Sequence, residues 1–437
     1  MAKLMKRLPD PINTEEPFSK KIKSSGTIPP AMTPLPEDSS LESILCDNNS
    51  NVSSCSDSAK KSLPRPEQNT TLRKPATPIS YQEFKTLTLE EKQQRSVEIL
   101  GNALAIVTYS RSYARIKEDG SRECWLETVD RYVEYMRYKC GDRLSDKKYA
   151  KCFEYIANLK VLPSMRLLQG AGKAVEANNL AAYNCSFLVV DCLEAFSELM
   201  FISMSGVGAG FSVMKEHVNK LPPINSQDGS KKTFVIPDTT EGWCDALKIG
   251  IQAWYDGSDV EFDYSKIRPK GSVLKTKGGF ASGPEPLVEL LGFVRKIILE
   301  NQGTRLTPLN ALDIMCKIAE KVISGGNRRS ALISFSDLDD EEIAKCKSGT
   351  QWHTTDPQRF KSNNSVIHVK APTEEEIRKE FDIMVNSGSG ERGICNMAAI
   401  AERLPERRRK LWERLGILDP ETGKLLLNIV GGNPCME

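Results

Sequence analysis

The chain has 437 residues, 39% of them hydrophobic and 27% charged, with 60 Lys+Arg against 58 Asp+Glu for a formal net charge of +2. At about 150 residues per domain this is a globular chain of roughly three units, and its near-neutrality argues against a protein whose main task is gripping nucleic acid. No apolar run approaches the ~18 residues of a membrane span, and the basic N-terminus lacks the apolar stretch of a secretory signal, so a cytoplasmic location is expected.

Residues 1–80 hold 11 of the 24 prolines and many serines, too little apolar surface to offset ordering entropy, so they read as a disordered tail. Structure is expected from Thr88-Leu89-Glu90-Glu91, a capping box. From there apolar residues recur at helical spacing through Val97, Leu100, Leu104 and Val107. Further helices are expected over Trp125–Tyr138 and Lys148–Leu159, giving a small helical region over 81–165. Beyond it, residues 166–437 alternate buried strands with amphipathic helices. The strands are Leu188–Val190, Ala331–Ser334, Val366–Val369 and Leu425–Val430. The helices are Leu193–Ser203, Gly242–Tyr255, Leu287–Glu300, Ala311–Ser324 and Glu374–Ser387. This alternation means an α/β fold with largely parallel pairing.

Five segments could carry chemistry. Ser205–Phe211 is glycine-rich, letting backbone approach a ligand. A helix precedes it and a short Phe211–Val213 strand follows, so it is not a Rossmann fingerprint; the competing reading is a tight packing turn. The stretch Ile267–Pro286 mixes Lys and Arg with Gly, Ser and Pro, and Ser282 and Gly283 precede a helix start where free amides could meet phosphate. Its bland reading is a solvated loop. Ser324–Ser330 sets Arg328 and Arg329 beside two glycines, suited to bidentate contact with phosphate or a base, or else to a plain helix C-cap. In Gly431–Glu437, Asn433, Cys435 and Glu437 alternate, so an extended loop places them on one side. Thiol, carboxylate and amide together form a kit for acid/base and radical or nucleophilic chemistry; the competing reading is a frayed end. Lastly, Tyr183–Phe187 carries Cys185 into a strand, where taken alone it reads as a buried structural Cys. Twelve Cys spread over a long chain suggest a reducing compartment. Cys192, Cys244, Cys316 and Cys395 read as core. Three dispersed His give no zinc pattern.

In this order, Asn184-Cys185-Ser186-Phe187, Gly206–Gly210, the Arg268–Leu287 stretch, Gly325–Ala331 and Asn433-Pro434-Cys435-Met436-Glu437 resemble the adenosylcobalamin-dependent (class II) ribonucleotide reductases. Thr108-Tyr109-Ser110-Arg111 with Trp125 and Arg131 is similar to the monomeric ribonucleoside-triphosphate reductase branch. The resemblance covers roughly 95–437. It implies a barrel of two parallel half-sheets with a central finger loop carrying Asn-x-Cys-x-Glu. Cys435 would be the transient thiyl radical, Glu437 the base on the 3′ hydroxyl, and Asn433 a hydrogen-bonding partner of the sugar. Cys185 would be one of two reducing thiols that end as a disulfide. Ser164 would sit near substrate phosphate, with Asn184 and Gly208 lining the substrate site. Gly325, Gly326, Asn327, Arg328 and Arg329 would report a deoxynucleotide effector to the substrate base.

Implied partners are a ribonucleotide, adenosylcobalamin and a thioredoxin-like dithiol, with neither nucleic acid nor membrane among them. Met436 stands where the family usually has Gly, and Glu391-Arg392-Gly393 lacks an expected Pro. The family's second redox cysteine, the rest of the barrel and most cobalamin contacts lie beyond the motif that ends here at Glu437. A C-terminal companion polypeptide is therefore expected. The competing reading is a truncated paralogue that serves only as a nucleotide-binding or interaction module.

Overall fold

The computed structural model describes residues 76–437 apart from 118, 273–279, 323–330, 423–424, 427–429 and 436–437. Helices Tyr81–Thr86, Leu89–Leu100, Ala103–Ser112, Trp125–Cys140 and Asp146–Ala157 build the first part. Their shared core includes Phe84, Trp125, Leu126, Val129 and Phe153. Ile79, inside the expected tail, is buried, and its N–H donates to Asn158 Oδ1 at 2.7 Å.

Thr88 caps the second helix in the reciprocal arrangement its sequence implies: its side chain accepts from the Glu91 N–H, and Glu91 reaches back to the Thr88 N–H at 2.7 Å. The helix does not run on to Val107. Gly101 takes a left-handed φ of 76° and Asn102 caps a new helix, accepting from the Ala105 N–H. Val97 on the first of these helices and Leu104 and Val107 on the second are exposed, and of the four residues only Leu100 packs, partly buried, against the core.

The second part is centred on a five-stranded parallel sheet, ordered β1-β2-β5-β6-β7. Its strands are β1 Cys185–Val189, β2 Gly208–Ser212, β5 Leu332–Ser336, β6 Ser362–His368 and β7 Gly393–Asn396. Between β2 and β5 lies a smaller parallel pair, β3 Lys231–Val235 and β4 Asp259–Asp263. Alternation divides the five-stranded sheet into two apolar faces. Leu188, Ala209, Phe211 and Leu332 pack with helices Glu194–Met204, Thr240–Asp256, Glu285–Glu300 and Pro308–Lys321. Ile333, Phe335, Ile367 and Cys395 pack on the other face with Met397, Leu418, Leu425 and, partly buried, Phe187, Trp412 and Val430.

The expected Leu425–Val430 strand is corrected in part. Leu425 pairs only as a single bridge with Leu418, and Leu426 N–H donates to the Ile417 carbonyl; residues 427–429 lie outside the described set. Leu425 and Val430 of that run pack on the second face instead of extending the sheet, while Leu426 is exposed. The glycines 208 and 210, expected in a turn before a strand, are inside β2 and buried. Cys244, Cys316 and Cys395 are buried as expected, whereas Cys192 is exposed.

The far strands are held by buried charge. Arg392 grips Glu380 through two hydrogen bonds of 2.9 Å and also donates to the carbonyls of Asp337 and Leu338. Arg359 makes a bidentate pair with Asp313 at 2.7 Å on both oxygens, and Gln358 donates to the same carboxylate at 3.0 Å. Lys347 donates to Glu391 at 2.8 Å and to the Ser362 carbonyl, and Glu391 also accepts from the Asn364 N–H. Each of these charges therefore meets its opposite and makes further hydrogen bonds, which offsets the cost of keeping ions in a core.

Candidate active site

β1 and β2 pair with Cys185 opposite Gly208 and Phe187 opposite Gly210. These four residues share one face, and the 430–435 loop lies against it. A Cβ on Gly210 would run into the Gly432 carbonyl, and one on Gly431 into the Phe187 ring. A Cβ on Gly208 would stand 3.3 Å from Pro434 Cγ and 3.6 Å from Cys185 Sγ. Glycine is thus required at several points so that loop backbone can rest directly on strand backbone. The product of this packing is a sulfur pair: Cys185 Sγ and Cys435 Sγ are 3.2 Å apart, although 250 residues separate them in sequence. That distance is a thiol contact, well beyond the ~2.05 Å of a disulfide. Cys185 is half-buried and Cys435 exposed.

Asn433 accepts the Cys435 N–H on Oδ1 at 3.1 Å. The side chain therefore folds over its own backbone in a turn instead of pointing alongside Cys435 from an extended strand. Glu437 lies outside the described residues, as do Gly325, Gly326, Asn327, Arg328 and Arg329. Ala331, which follows the latter segment into β5, has its carbonyl 3.2 Å from the Cβ position of Gly208 and accepts the Ala209 N–H. The exit of that segment is thus beside the sulfur pair.

Asn184 accepts the Gly208 N–H on its backbone carbonyl at 2.9 Å. Ser164 caps the helix Met165–Gly170, its Oγ accepting from the Leu167 N–H. That helix is joined to the site by Arg166, whose guanidinium donates to the Gly206 carbonyl at 2.6 Å. At its other end Arg115 donates to the Gln169 carbonyl and Arg131 to the Ala171 carbonyl. Arg131 also makes a bidentate pair with Glu123 at 2.7 and 3.0 Å. Burial pushes the Glu123 carboxyl up, but Arg131 and Thr128 outweigh it and hold it below the usual range.

Reading the sequence singled out Cys185, Gly208, Asn433 and Cys435, and the fold brings these four together. Arg166 was missed; its only signal was a cation two residues past a predicted phosphate-side serine. The packing role of Gly431 and Gly432 was missed too, although a double glycine ahead of Asn433 carried that signal. Among the described residues no cluster of three or more His, Cys, Asp or Glu could hold a metal ion, and no helix is long and apolar enough to cross a membrane.

Two family models match the chain. "Ribonucleotide reductase alpha domain" covers residues 86–172, and "B12-dependent ribonucleotide reductase, insertion domain" covers 210–298, the segment holding β3 and β4. An adenosylcobalamin-dependent ribonucleoside-triphosphate reductase of Euglena gracilis is 33% identical over 377 residues, which cover 80% of this chain and 48% of that protein. The enzyme of the same name from Lacticaseibacillus paracasei is 29% identical over 415 residues, 76% of this chain and 52% of that protein. A solved B-12 dependent (class II) ribonucleotide reductase superposes with a TM-score of 0.57 at 25% identity, covering 67% of this chain and 49% of that one. The chain thus spans about half the length of the curated relatives it matches.

Proposed function

Since this chain is a member of the B12-dependent ribonucleotide reductase family, we propose that it contributes the radical-bearing half of an enzyme that reduces ribonucleoside triphosphates to 2′-deoxyribonucleotides. The observation that carries this reading is the 3.2 Å approach of Cys185 and Cys435 under a glycine-cleared loop.

Hydroxide is a poor leaving group, so replacing the 2′ hydroxyl by hydrogen is difficult until the neighbouring 3′ hydrogen has been removed. In our reading the sulfur of Cys435, as a radical, takes that hydrogen atom. Glu437 accepts the 3′ hydroxyl proton. Cys185 donates a proton to the departing 2′ hydroxyl, which leaves as water. Cys185 and a second thiol then supply two electrons and close to a disulfide, the second thiol's hydrogen going to C2′; Glu437 returns its proton to the 3′ oxygen, Cys435 returns its hydrogen atom to C3′ and is left a radical again, and a thioredoxin-like dithiol reduces the disulfide. Asn433 and Asn184 hold the sugar, Ser164 faces phosphate, Gly208 allows close approach, and Gly325–Arg329 transmit the effector. Bound adenosylcobalamin supplies the initiating radical, and the Cys435 thiol is exposed toward it. Within the chain we assign 81–165, which also packs the preceding Ile79, to a helical region and 166–437 to half of the barrel, working in a reducing cytoplasm.

The test is reconstitution. Mixed with a polypeptide carrying the remaining half, adenosylcobalamin and a dithiol, the chain should convert a ribonucleoside triphosphate to its deoxy form, and Cys435→Ser should abolish this. Turnover surviving Cys435→Ser overturns the assignment. Absence of turnover in the wild type, alongside tight nucleotide binding, would leave it a nucleotide-binding module.

A further inference from the structure

We infer that Cys185 and Cys435 form a reversible disulfide with each other, making Cys435 a redox-gated thiol. The consequence for turnover rests on the function proposed above; the bond itself does not.

The sulfurs are already in contact at 3.2 Å, so bond formation asks for a shift of roughly 1 Å. Gly208, opposite Cys185 in the strand register, leaves the space between Cys185 Sγ and Pro434 unfilled by any side chain of its own. The loop cannot easily carry Cys435 elsewhere, because Gly431 and Gly432 lie directly on Phe187 and Gly210. Cys435 is exposed, hence reachable by an oxidant, and Cys185 is half-buried behind it. Several of the other described thiols are poorly placed to compete. Cys244, Cys316, Cys346 and Cys395 are buried, and burial raises the Cys346 thiol to about 11 and pushes Cys316 up as well.

The oxidant is a small disulfide of the oxidised-glutathione class. The Cys435 thiolate attacks one of its sulfurs; that S–S bond breaks and one glutathione thiolate departs. The Cys185 thiolate then attacks the Cys435 sulfur, the Cys185–Cys435 bond forms, and the second glutathione departs. Two electrons pass to glutathione, and the two protons released by the protein thiols end on the two glutathione products. A dithiol reverses both steps. While the bond stands, Cys435 has no S–H and no sulfur valence for hydrogen abstraction. The chain is therefore held inactive, with its reactive sulfur shielded from irreversible oxidation.

The experiment treats the full chain with oxidised glutathione, alkylates the remaining thiols and maps the peptides, using chymotryptic cleavage after Phe187 to separate Cys185 from Cys192. A Cys185–Cys435 linked peptide, removed by dithiothreitol with recovery of both thiols, is expected. Exposed Cys152 and Cys192 should be alkylated or glutathione-capped. Cys185→Ser should instead accumulate glutathione on Cys435. Lasting glutathione on Cys435 in the wild type, or Cys435 joined to Cys152 or Cys192, overturns the inference. The wild-type map decides this even if the variant fails to fold. A linked peptide without turnover in the reconstituted system would sink the proposed function and leave this bond standing; turnover without the linked peptide would do the reverse.

Discussion

Gly210 of β2 and Gly432 of the loop meet backbone to backbone, with no room between them for a single methyl group. This contact fixes where Pro434 and Cys435 arrive on the sheet. Gly210→Ala should force the loop outward and cost about 1–3 kcal/mol through overpacking. Urea unfolding would read that loss, and slower formation of the Cys185–Cys435 bond would report the displaced loop. Unchanged values for both would mean that the loop is not seated on β2.

The Glu380–Arg392 pair is among the most deeply buried polar groups described. Arg392→Met should lower stability by about 3–5 kcal/mol, because Glu380 is left as an unpaired buried charge. The double variant Glu380→Met with Arg392→Met should recover most of that loss. Denaturant midpoints for the wild type, the single and the double variant form the required cycle; a double variant no better than the single one would contradict the ion-pair account.

Asp259 links β4 to the helix Glu285–Glu300. Its carboxylate accepts two hydrogen bonds from Arg295, at 3.0 and 2.8 Å, and one from the Trp254 indole at 3.0 Å. The Arg295 bonds come first in drawing its pKa from the ordinary 3.8 down to about 2, against an opposing push from burial. A carboxyl lowered by folding stabilises the protein above about pH 4 and loses that contribution as pH falls from 4 toward 2. Asp259→Asn should therefore lower Tm at pH 7 and make much less difference near pH 2. The group is partly exposed, so the effect should be modest and reduced by salt. Equal Tm losses at the two pH values would refute the linkage.

At the start of the helical region, Thr88→Ala removes a cap that accepts the Glu91 N–H and donates to the Glu91 carboxylate at 2.9 Å. A loss of about 1 kcal/mol is expected, visible in thermal melts. Glu91→Gln should cost less, because an amide can still occupy the box.

Local patterns were legible wherever one residue decides the structure. Thr88 and Glu91 announced a helix start, and the 374–387 helix matches its expected bounds. The apolar run at 425–430 misled because hydrophobicity alone does not separate a strand from a segment packed onto a sheet. β3 and β4 went unseen because Lys231-Lys232-Thr233 and Asp259-Val260-Glu261 carry too much charge for a buried-strand pattern. In the site, Cys435 stood out by its spacing to Asn433 and Glu437, and Cys185 only through the order of motifs shared with a known family. Their contact at 3.2 Å was not written in either segment; it depends on glycines in a third. Ion pairs such as Asp313–Arg359 join residues 46 apart and leave no local trace.

The crossover from Ser212 to Leu332 has a consequence for how the molecule is made. These two strands are adjacent in the sheet, yet the whole β3–β4 segment is synthesised between them. The nascent chain must wait for that insert to emerge, and the sheet cannot close at its centre until the insert has collapsed enough to bring its two ends together. Mutations inside the insert should therefore delay maturation of the sulfur pair even where they touch neither cysteine.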